Sequence, residues 1–466
     1  MVVCYTFRMA TTPLPGMKLV EMFLGKLSSN GVYVDWKVLG YIFLFLNLGF
    51  LLIDPIQTLR NYEFLFFFAP LWLPMVLLSA YTARLLQVRR AEFLLKQEFT
   101  LLELRLPRDT KKTPLAMETF FSNMHFGPGE STPYKVRQGA MRPWWSFEIV
   151  SLGGRVHFYL WTRKAQRRGI ESYLYSQYPD MEIIEAEDYS RLFDPSDYSK
   201  NSMFGEEFKK IHANKDAKAD PYPIKTYVDY GLDKPGSKPE EQIDPLNQII
   251  ELFGSLGPKE QFWVQFIIRQ SKKEKFADEK DWKKVGQEEI ASIREATRQK
   301  GKYTDPATGK TVETDGFPNP TKGQLDAIAG IERNTNKAGF DVGIRMIYSA
   351  PKDAYQGGMI AFFMALFKPF TNENGAGFAP VAAYSAGFND YPWEDPKGTA
   401  HRAVEKKVLK LYRQRAYFNQ PYHGPWSIMS SEELATLYHI PSSTVATPGL
   451  PRIQSSTSGA PPNLPV

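Results

Sequence analysis

Two long runs without charged residues lie near the N-terminus and constrain the fold more than any other feature. The first run, 38–53, has sixteen residues and the second, 64–83, has twenty. A helix rises about 1.5 Å per residue, so about 20 residues span the ~30 Å hydrocarbon core of a membrane. The second run meets this length, and the first does so when Trp36 and its neighbours extend it. The pattern predicts a transmembrane hairpin. The two alternatives are a pair of buried core helices and a cleaved signal peptide.

Basic residues give this hairpin a predicted orientation. They flank both runs, whereas the connecting loop has only Arg60. By the positive-inside rule both termini are then cytoplasmic. We therefore expect a multi-pass protein of the bacterial inner membrane, with membrane lipid as one partner and residues 1–36 as a cytoplasmic or interfacial segment. The flanking cations are Arg8, Lys18, Lys26, Lys37, Arg84, Arg89, Arg90 and Lys96.

Composition excludes several classes of protein. The 65 aromatic residues provide too much apolar surface for a wholly disordered chain. The single cysteine, Cys4, cannot form a disulfide within the chain. A net charge of +6 is too small for a dedicated nucleic-acid binder. The mean hydropathy of -0.35 averages the apolar runs with a polar body that follows them.

The body begins with a stalk helix, 85–99, and a first αβ module, 100–190. Apolar residues that alternate with polar ones predict strands, and apolar residues at positions i, i+3, i+4 and i+7 predict helices. The pair Gly153-Gly154 predicts a tight turn between two of the strands. The resulting order, β-α-β-β-α-β, is that of a ferredoxin-like module. The expected strands are 100–106, 145–151, 155–161 and 181–186, with helices at 113–124 and 164–178.

A second αβ module is expected at 221–440, after a linker at 191–220 and with a helical insertion at 271–338. The fold class is thus α+β, with a transmembrane hairpin followed by two ferredoxin-like modules. Residues 441–466 are rich in Pro, Ser and Thr and are expected to form a tail. The expected elements of the second module are strands 224–229, 261–270, 340–348 and 425–429, helices 244–253, 358–370 and 401–417, and a short helix at 431–438 with a Ser430–Glu433 capping box.

The sequence offers no pattern typical of catalysis. Gly309-Lys310-Thr311 lacks the earlier glycine of a phosphate-binding loop, because that position is Thr304, so a surface hairpin is expected instead. The six histidines have no metal-ligand spacing. We therefore predict no catalytic residue, no cofactor-binding residue and no metal ligand. Three further clusters are expected to be solvated: Glu185, Glu187 and Asp188; Arg163, Lys164, Arg167 and Arg168; and Lys272, Lys273 and Lys275.

Four segments carry a resemblance to a known family. Residues 101–128, 144–162, 171–189 and 429–465 resemble the membrane-anchored region that precedes a HerA/FtsK-type ATPase in type IV secretion-like proteins of Patescibacteria, a domain of unknown function. The resemblance implies that 429–465 is a strap that leads into the ATPase core. This chain ends at Val466, where the ATPase would begin, so no catalytic residue is carried over.

Together these features predict a non-catalytic, membrane-anchored subunit, or N-terminal part, of a type IV secretion or conjugation-like translocation machine. It would position a partner ATPase at the cytoplasmic face. The expected partners are a HerA/FtsK-type ATPase or secretion-channel subunits, with a possible homo-oligomer and only indirect contact with nucleic acid. The alternative is a structural envelope scaffold unrelated to secretion, and a third, weaker hypothesis is a nucleic-acid adaptor that uses the Arg163–Arg168 cluster.

Overall fold

A computed structural model of the chain shows two compact units. Most of the first lies before Lys96, and the second holds most of the chain from Gln97 onward. The structure describes residues 36–107, 112–126, 134, 137–192, 200–214, 218–233, 243–271, 281–304, 311–381, 399–419, 422–441 and 449–453.

The first unit contains three consecutive helices. The residues expected to form the loop between two spans are themselves helical, because the Asp54 carboxylate accepts a hydrogen bond from the backbone of Gln57 and starts the second helix. A hydrogen bond of 2.8 Å from the Tyr62 hydroxyl to Asn47 joins the first two helices. The helices are α1, Trp36–Ile53, α2, Pro55–Phe67, and α3, Ala69–Leu95.

The predicted membrane hairpin is wrong. Among the described helices, none combines the length and the apolar character that crossing a membrane requires. Helix α1 has 18 residues, which is about 27 Å at the usual rise, and the second apolar run is divided between α2 and α3. Helix α3 then continues into a charged stretch that includes Arg84, Arg89 and Arg90. The hairpin at 37–84 and the multi-pass inner-membrane location are therefore overturned.

The second unit is α+β and is built on a single ten-stranded sheet. The sheet is antiparallel except for one short parallel pair, β1 with β12. Its order is β10-β5-β9-β6-β2-β3-β1, with β4 and β12 both paired to β1 and β11 paired to β9. The strands are β1, Phe99–Pro107, β2, Trp144–Leu152, β3, Arg155–Arg163, β4, Glu182–Ala186, β5, Asn201–His212, β6, Gln261–Gln270, β9, Gly339–Pro351, β10, Ala376–Val381, β11, Ser427–Ser430, and β12, Arg452–Ile453.

The expected fold class is thus wrong in its membrane hairpin, and the two αβ modules, each with the expected β-α-β-β-α-β order, join in one continuous sheet. The two halves of this sheet run in mirrored order, β10-β5-β9-β6 and β2-β3-β1-β4, and they meet where β2 pairs with β6. The residues expected as a linker, 191–220, contain β5. The expected strand 224–229 is instead a series of turns. β10 is not among the expected strands, since its glycine and proline content hides the strand pattern.

Helices cover one face of the sheet. The apolar side chains of this face form one row across six strands, and helices α4, α7 and α12 contribute buried residues to the same core. The helices of the second unit are α4, Leu115–Asn123, α5, Arg167–Gln177, α6, Tyr189–Leu192, α7, Pro245–Gly254, α8, Trp282–Ala296, α9, Lys322–Thr335, α10, Met359–Met364, α11, Thr399–Arg413, and α12, Ser431–Leu437. The row is Phe208, Ile344, Phe266, Phe147, Leu160 and Leu102.

The insertion expected at 271–338 contains the two amphipathic helices that the sequence predicted, α8 and α9. Between them, strands β7, Arg298–Thr304, and β8, Thr311–Pro318, form a separate antiparallel pair. The expected surface hairpin is thus confirmed in its two strands, while Lys310 lies outside the described residues. The α8 N-cap is Asp281, and the α9 N-cap Thr321 forms a capping box with Gln324.

Candidate functional site: a polar row sealed by the C-terminal segment

A row of polar residues crosses the face of the sheet opposite the helical core. In a strand, successive side chains point to opposite faces, so each member of this row is sequence-adjacent to a member of the apolar row. The members lie directly opposite one another on neighbouring strands from β5 to β1. They are Glu207, Arg345, Gln265, Glu148, Tyr159 and Glu103.

Glu148 is the centre of this polar row and has no exposed surface. Its Oε1 accepts hydrogen bonds from Ser146 Oγ at 2.7 Å and from Gln265 Nε2 at 2.9 Å. Its Oε2 accepts one from the Tyr189 hydroxyl at 2.7 Å. Because an unpaired charge is costly to bury, a carboxylate in this position needs a cation close by.

Arg415 supplies that cation. Its Nε lies 3.0 Å from Glu148 Oε1, and its Nη1 forms an ion pair with Asp188. Burial of Asp188 opposes its charge, but hydrogen bonding to Arg415 outweighs burial and lowers the pKa of the Asp188 carboxyl. Arg415 has a φ of 47°, in the left-handed region that non-glycine residues rarely occupy. This strained turn is held by Trp144, whose Nε1 donates to the Arg415 carbonyl at 3.1 Å.

The next residues of the same segment bind the other half of the sheet. The Arg345 guanidinium donates to Glu207 Oε1 at 2.8 Å and to the Ala416 carbonyl at 3.1 Å. The Tyr422 hydroxyl donates to Glu207 Oε2 at 2.6 Å. Arg415 and Ala416 are adjacent in sequence, so one peptide unit connects the polar groups of both halves.

We call residues 399–419, 422–441 and 449–453 the C-terminal clasp, because this segment contacts both faces of the sheet. Arg415 lies on the polar row, and β11 then pairs with β9 within the sheet. On the opposite face, the Tyr438 ring packs 5.1 Å from Phe147 and 5.6 Å from Phe158. The clasp therefore passes through the sheet beside β9, with α12 packed in the helical core.

Helix α12 is fixed by buried ion pairs. The capping box predicted from Ser430 and Glu433 is present, with Glu433 Oε2 accepting from the Ser430 backbone at 2.9 Å. Glu433 Oε1 lies 2.7 Å from Lys210 Nζ, and both side chains are completely buried. Next to it, Glu432 Oε2 lies 2.7 Å from Lys337 Nζ, which also contacts Glu118 of α4 at 2.7 Å. Each of these pairs connects the clasp to a different part of the body.

His439 lies two residues beyond the end of α12 and pairs with Asp244, the N-cap of α7. Its Nε2 lies 2.9 Å from Asp244 Oδ2, and its Nδ1 lies 2.9 Å from the Ala435 carbonyl. Both partners are acceptors, so both ring nitrogens must carry a proton. Burial opposes this charge, but the Asp244 carboxylate outweighs it and raises the pKa of His439. Although burial favours a neutral carboxyl, His439 in turn lowers the pKa of Asp244.

The clasp ends on the edge of the sheet. The backbone of Val156 donates to the Gly449 carbonyl at 2.7 Å, and Arg452 Nη1 donates to the Pro107 carbonyl at 3.2 Å. A Cβ at Gly449 would overlap the Gly154 carbonyl, so only glycine fits this crossing. Within the expected tail, Arg452 and Ile453 thus pair with β1 rather than extend away from the body.

The residues that the sequence singled out have structural contacts. His157 Nδ1 lies 2.7 Å from Glu103 Oε1, and His125 packs edge-on against Phe340. In the basic cluster, Arg167 is paired with both Glu171 and Glu185, and Arg163 is buried over the ring of Trp144. Asp188, expected to be solvated, is bound to Arg415. Lys272, Lys273 and Lys275 lie outside the described residues.

Sequence reasoning did not identify the polar row. A signal was available, since the central strands place charged or amide residues among apolar ones, such as Glu148 in WWSFEIVS and Arg345 in FDVGIRMIY. Strand pattern alone gives no register, so it could not show that these residues face one another. Across the described ranges, no three His, Cys, Asp or Glu side chains form a group that could hold a metal ion.

A family model matches most of the chain. The model of a family described as a domain of unknown function, DUF8128, matches residues 78–451. The chain belongs to this family. The match begins within α3 and ends in the clasp, so it includes the whole polar row. A comparison with curated proteins finds no match.

Proposed function

We propose that this protein is a non-catalytic positioning subunit of a type IV secretion-like translocation machine, and that it holds a partner ATPase of the HerA/FtsK type in a fixed orientation. The observation that supports this most is the fixation of the clasp at both faces and at one edge of the sheet. Because the clasp is held firmly, a partner that binds to it is held in a defined position relative to the sheet. The choice of a HerA/FtsK-type partner in this proposal comes from the resemblance of four segments to Patescibacterial secretion proteins.

The chemistry of the polar row also supports a structural role. The carboxylates of Glu148, Asp188 and Glu207 are each bound by an arginine within the chain. A general base or nucleophile needs a free lone pair directed at a substrate, and these groups direct theirs at buried cations. Such networks define one unique arrangement of the elements that they join.

Co-purification tests the proposal. The full chain would be expressed with a HerA/FtsK-type ATPase from the same genome, and the complex would be isolated by affinity and size-exclusion chromatography. We expect a stable complex in which ATP hydrolysis belongs to the ATPase alone. As the test variant, an Arg415→Met chain that is folded but has a loosened clasp should bind the ATPase less well.

Two results would contradict the proposal. The first is ATP hydrolysis by the purified chain that is lost in Lys310→Ala, since this would make the chain itself catalytic. The second is recovery of no translocation ATPase from native cell extracts. That result would favour the alternative function, a structural scaffold unrelated to secretion.

A further inference from the structure

Helix α3 has an exposed row of apolar side chains with the spacing of a coiled coil. Two sets of residues repeat at seven-residue intervals, as positions a and d of the heptad abcdefg do. Every member of both sets is exposed, by between 38% and 87% of its surface. Pro74 and Glu92 occupy the two remaining a and d positions of this stretch. The members of the row are Leu71, Leu78 and Leu85 at a, and Tyr81, Val88 and Leu95 at d.

The last three turns of α3 show that this row lies on the outer face of the helix. On the opposite face, Leu86 and Leu94 are half-buried. Gly139 packs so closely on the helix that a Cβ there would overlap the Arg89 carbonyl. The chain itself therefore covers one face and leaves the row uncovered. A stripe of two apolar positions in seven is the seam of a coiled coil, and it is narrower than the apolar face of a helix that packs on a core.

The exposed apolar surface of α3 is large enough for a stable dimer. At least ten large apolar side chains of this helix are exposed. At roughly 100 Å² each, they offer about 1,000 Å², whereas each partner in a stable protein interface contributes about 800 Å². Monomeric soluble proteins rarely expose an apolar patch of more than ~600 Å². The surface is therefore suited to binding another apolar helix.

The charges of α3 suit the pairing of two copies in opposite directions. Residues 69–83 of the helix have no charge, whereas residues 84–95 have three arginines and one glutamate. In a parallel pair the two positive halves would lie side by side and repel each other. In an antiparallel pair each positive half lies along the uncharged half of the other copy. A second copy also has the same heptad spacing, so the two surfaces are complementary through a two-fold axis.

We propose that α3 pairs with α3 of a second copy of this chain in an antiparallel coiled coil, and that the protein is a dimer through this helix. Leu71 of one copy would pack near Leu95 of the other, and Leu78 near Val88. The inference goes beyond the positioning function, because it assigns a partner to a surface outside the clasp, and it does not depend on a partner ATPase.

Analytical ultracentrifugation of the full chain in lipid-free buffer, between about 1 and 50 µM, would test the proposal. We expect the wild type to be a dimer. In Leu78→Lys/Leu85→Lys the dissociation constant should rise roughly a hundredfold or more, because the seam would bury charge instead of leucine. The matched control, Phe317→Lys/Leu325→Lys, replaces two exposed apolar side chains of the second unit and should remain a dimer. Thermal midpoints of both variants would show whether they are folded.

Cross-linking would test the direction of the two helices. The chain would carry Leu71→Cys and Leu95→Cys in a Cys4→Ser background, and the oxidised dimer would be mapped by mass spectrometry of its peptides. Positions 71 and 95 are about 36 Å apart along one helix, so a disulfide between them can form only across two chains. We expect this disulfide in the antiparallel dimer.

Several outcomes would overturn the proposal. One is a wild-type chain that stays monomeric at about 50 µM. Another is equal dimerisation of the α3 variant and the wild type, or equal weakening in the α3 variant and the control. Disulfides that join only like positions would contradict the antiparallel direction. A monomeric wild-type chain that floats with phosphatidylglycerol vesicles, while the α3 variant does not, would assign the surface to a lipid instead.

Discussion

Arg415 and Glu148 form an ion pair deep inside the protein, with Nε 3.0 Å from Oε1 and with exposed fractions of only 1% and 0%. The two residues are 267 positions apart in the chain. One belongs to a central strand and the other to a turn in the C-terminal clasp. A buried pair of this kind contributes little net stability over an apolar pair, but it strongly disfavours any arrangement that separates the charges. It therefore specifies where the clasp lies on the sheet.

Arg415→Met should destabilise the protein by about 3 to 5 kcal/mol, because the buried Glu148 and the half-buried Asp188 lose their common cation. Urea unfolding followed by circular dichroism measures this change. Arg191→Met is a matched control, since Arg191 also lies near Asp188, at 4.0 Å, but is 78% exposed. Its effect should stay within ~0.5 kcal/mol. Equal effects of the two variants would show that the buried pair does not hold the clasp.

The pair formed by His439 and Asp244 should give stability a defined dependence on pH. The folded-state pKa of His439 is raised, so its contribution is fully present below the unfolded pKa of about 6.5 and is lost as pH rises through the folded pKa. The folded-state pKa of Asp244 is lowered, so its contribution is present above about pH 4 and is lost as pH falls further.

His439→Gln should remove the pH dependence of stability at the alkaline end. It should also lower the free energy of unfolding by about 2 kcal/mol near pH 6. Urea midpoints between pH 5 and pH 9 measure both effects. His212→Gln is the control, because the His212 imidazole, at the end of β5, accepts from the Asn214 backbone and packs against the Tyr222 ring. A wild-type chain whose stability stays constant through this range would contradict the charged state assigned to His439.

Glu433→Gln should be more costly than the loss of an ordinary helix cap. The amide still accepts from the Ser430 backbone, but the completely buried Lys210 loses its closest carboxylate. We expect a loss of about 3 kcal/mol in the free energy of unfolding. Thr321→Ala removes the exposed cap of α9 and should cost only about 1 kcal/mol. If urea unfolding gives the same loss for both, the Lys210 pair has no role beyond capping.

Gly449→Ala should release the end of the clasp from the sheet edge. A Cβ at this position would overlap the Gly154 carbonyl, so the crossing strand must move away and the short β1–β12 pair should open. Hydrogen exchange at Arg452 and Ile453 should become faster, while exchange in β2 stays slow. Gly357→Ala, where no atom lies within 4 Å of the new Cβ, is the control. Unchanged exchange in Gly449→Ala would contradict the fixation of the clasp.

The sequence alone determined the elements whose signals are local. Strand β1, the hairpin of β2 and β3 at Gly153-Gly154, the Asp244 cap of α7 and the Ser430–Glu433 box are all confirmed, because alternation, turn residues and caps act within a few residues. The basic helix expected at 401–417 is also present, as α11. Each depends on contacts that the neighbouring sequence itself supplies.

Tertiary structure decided what depends on distant residues. The sheet became continuous because β2 pairs with β6, and β5 formed in an expected linker because β9 lies beside it. The predicted membrane hairpin was wrong because the length of an uncharged run does not show where a helix ends. The second run is interrupted near Phe68, between α2 and α3. The members of the polar row face one another only because of the register of six strands. The contact between this row and the clasp depends on Arg415, which is 267 residues from Glu148 in the sequence. Local sequence patterns indicate many of the strands, but only packing determines which residues face each other.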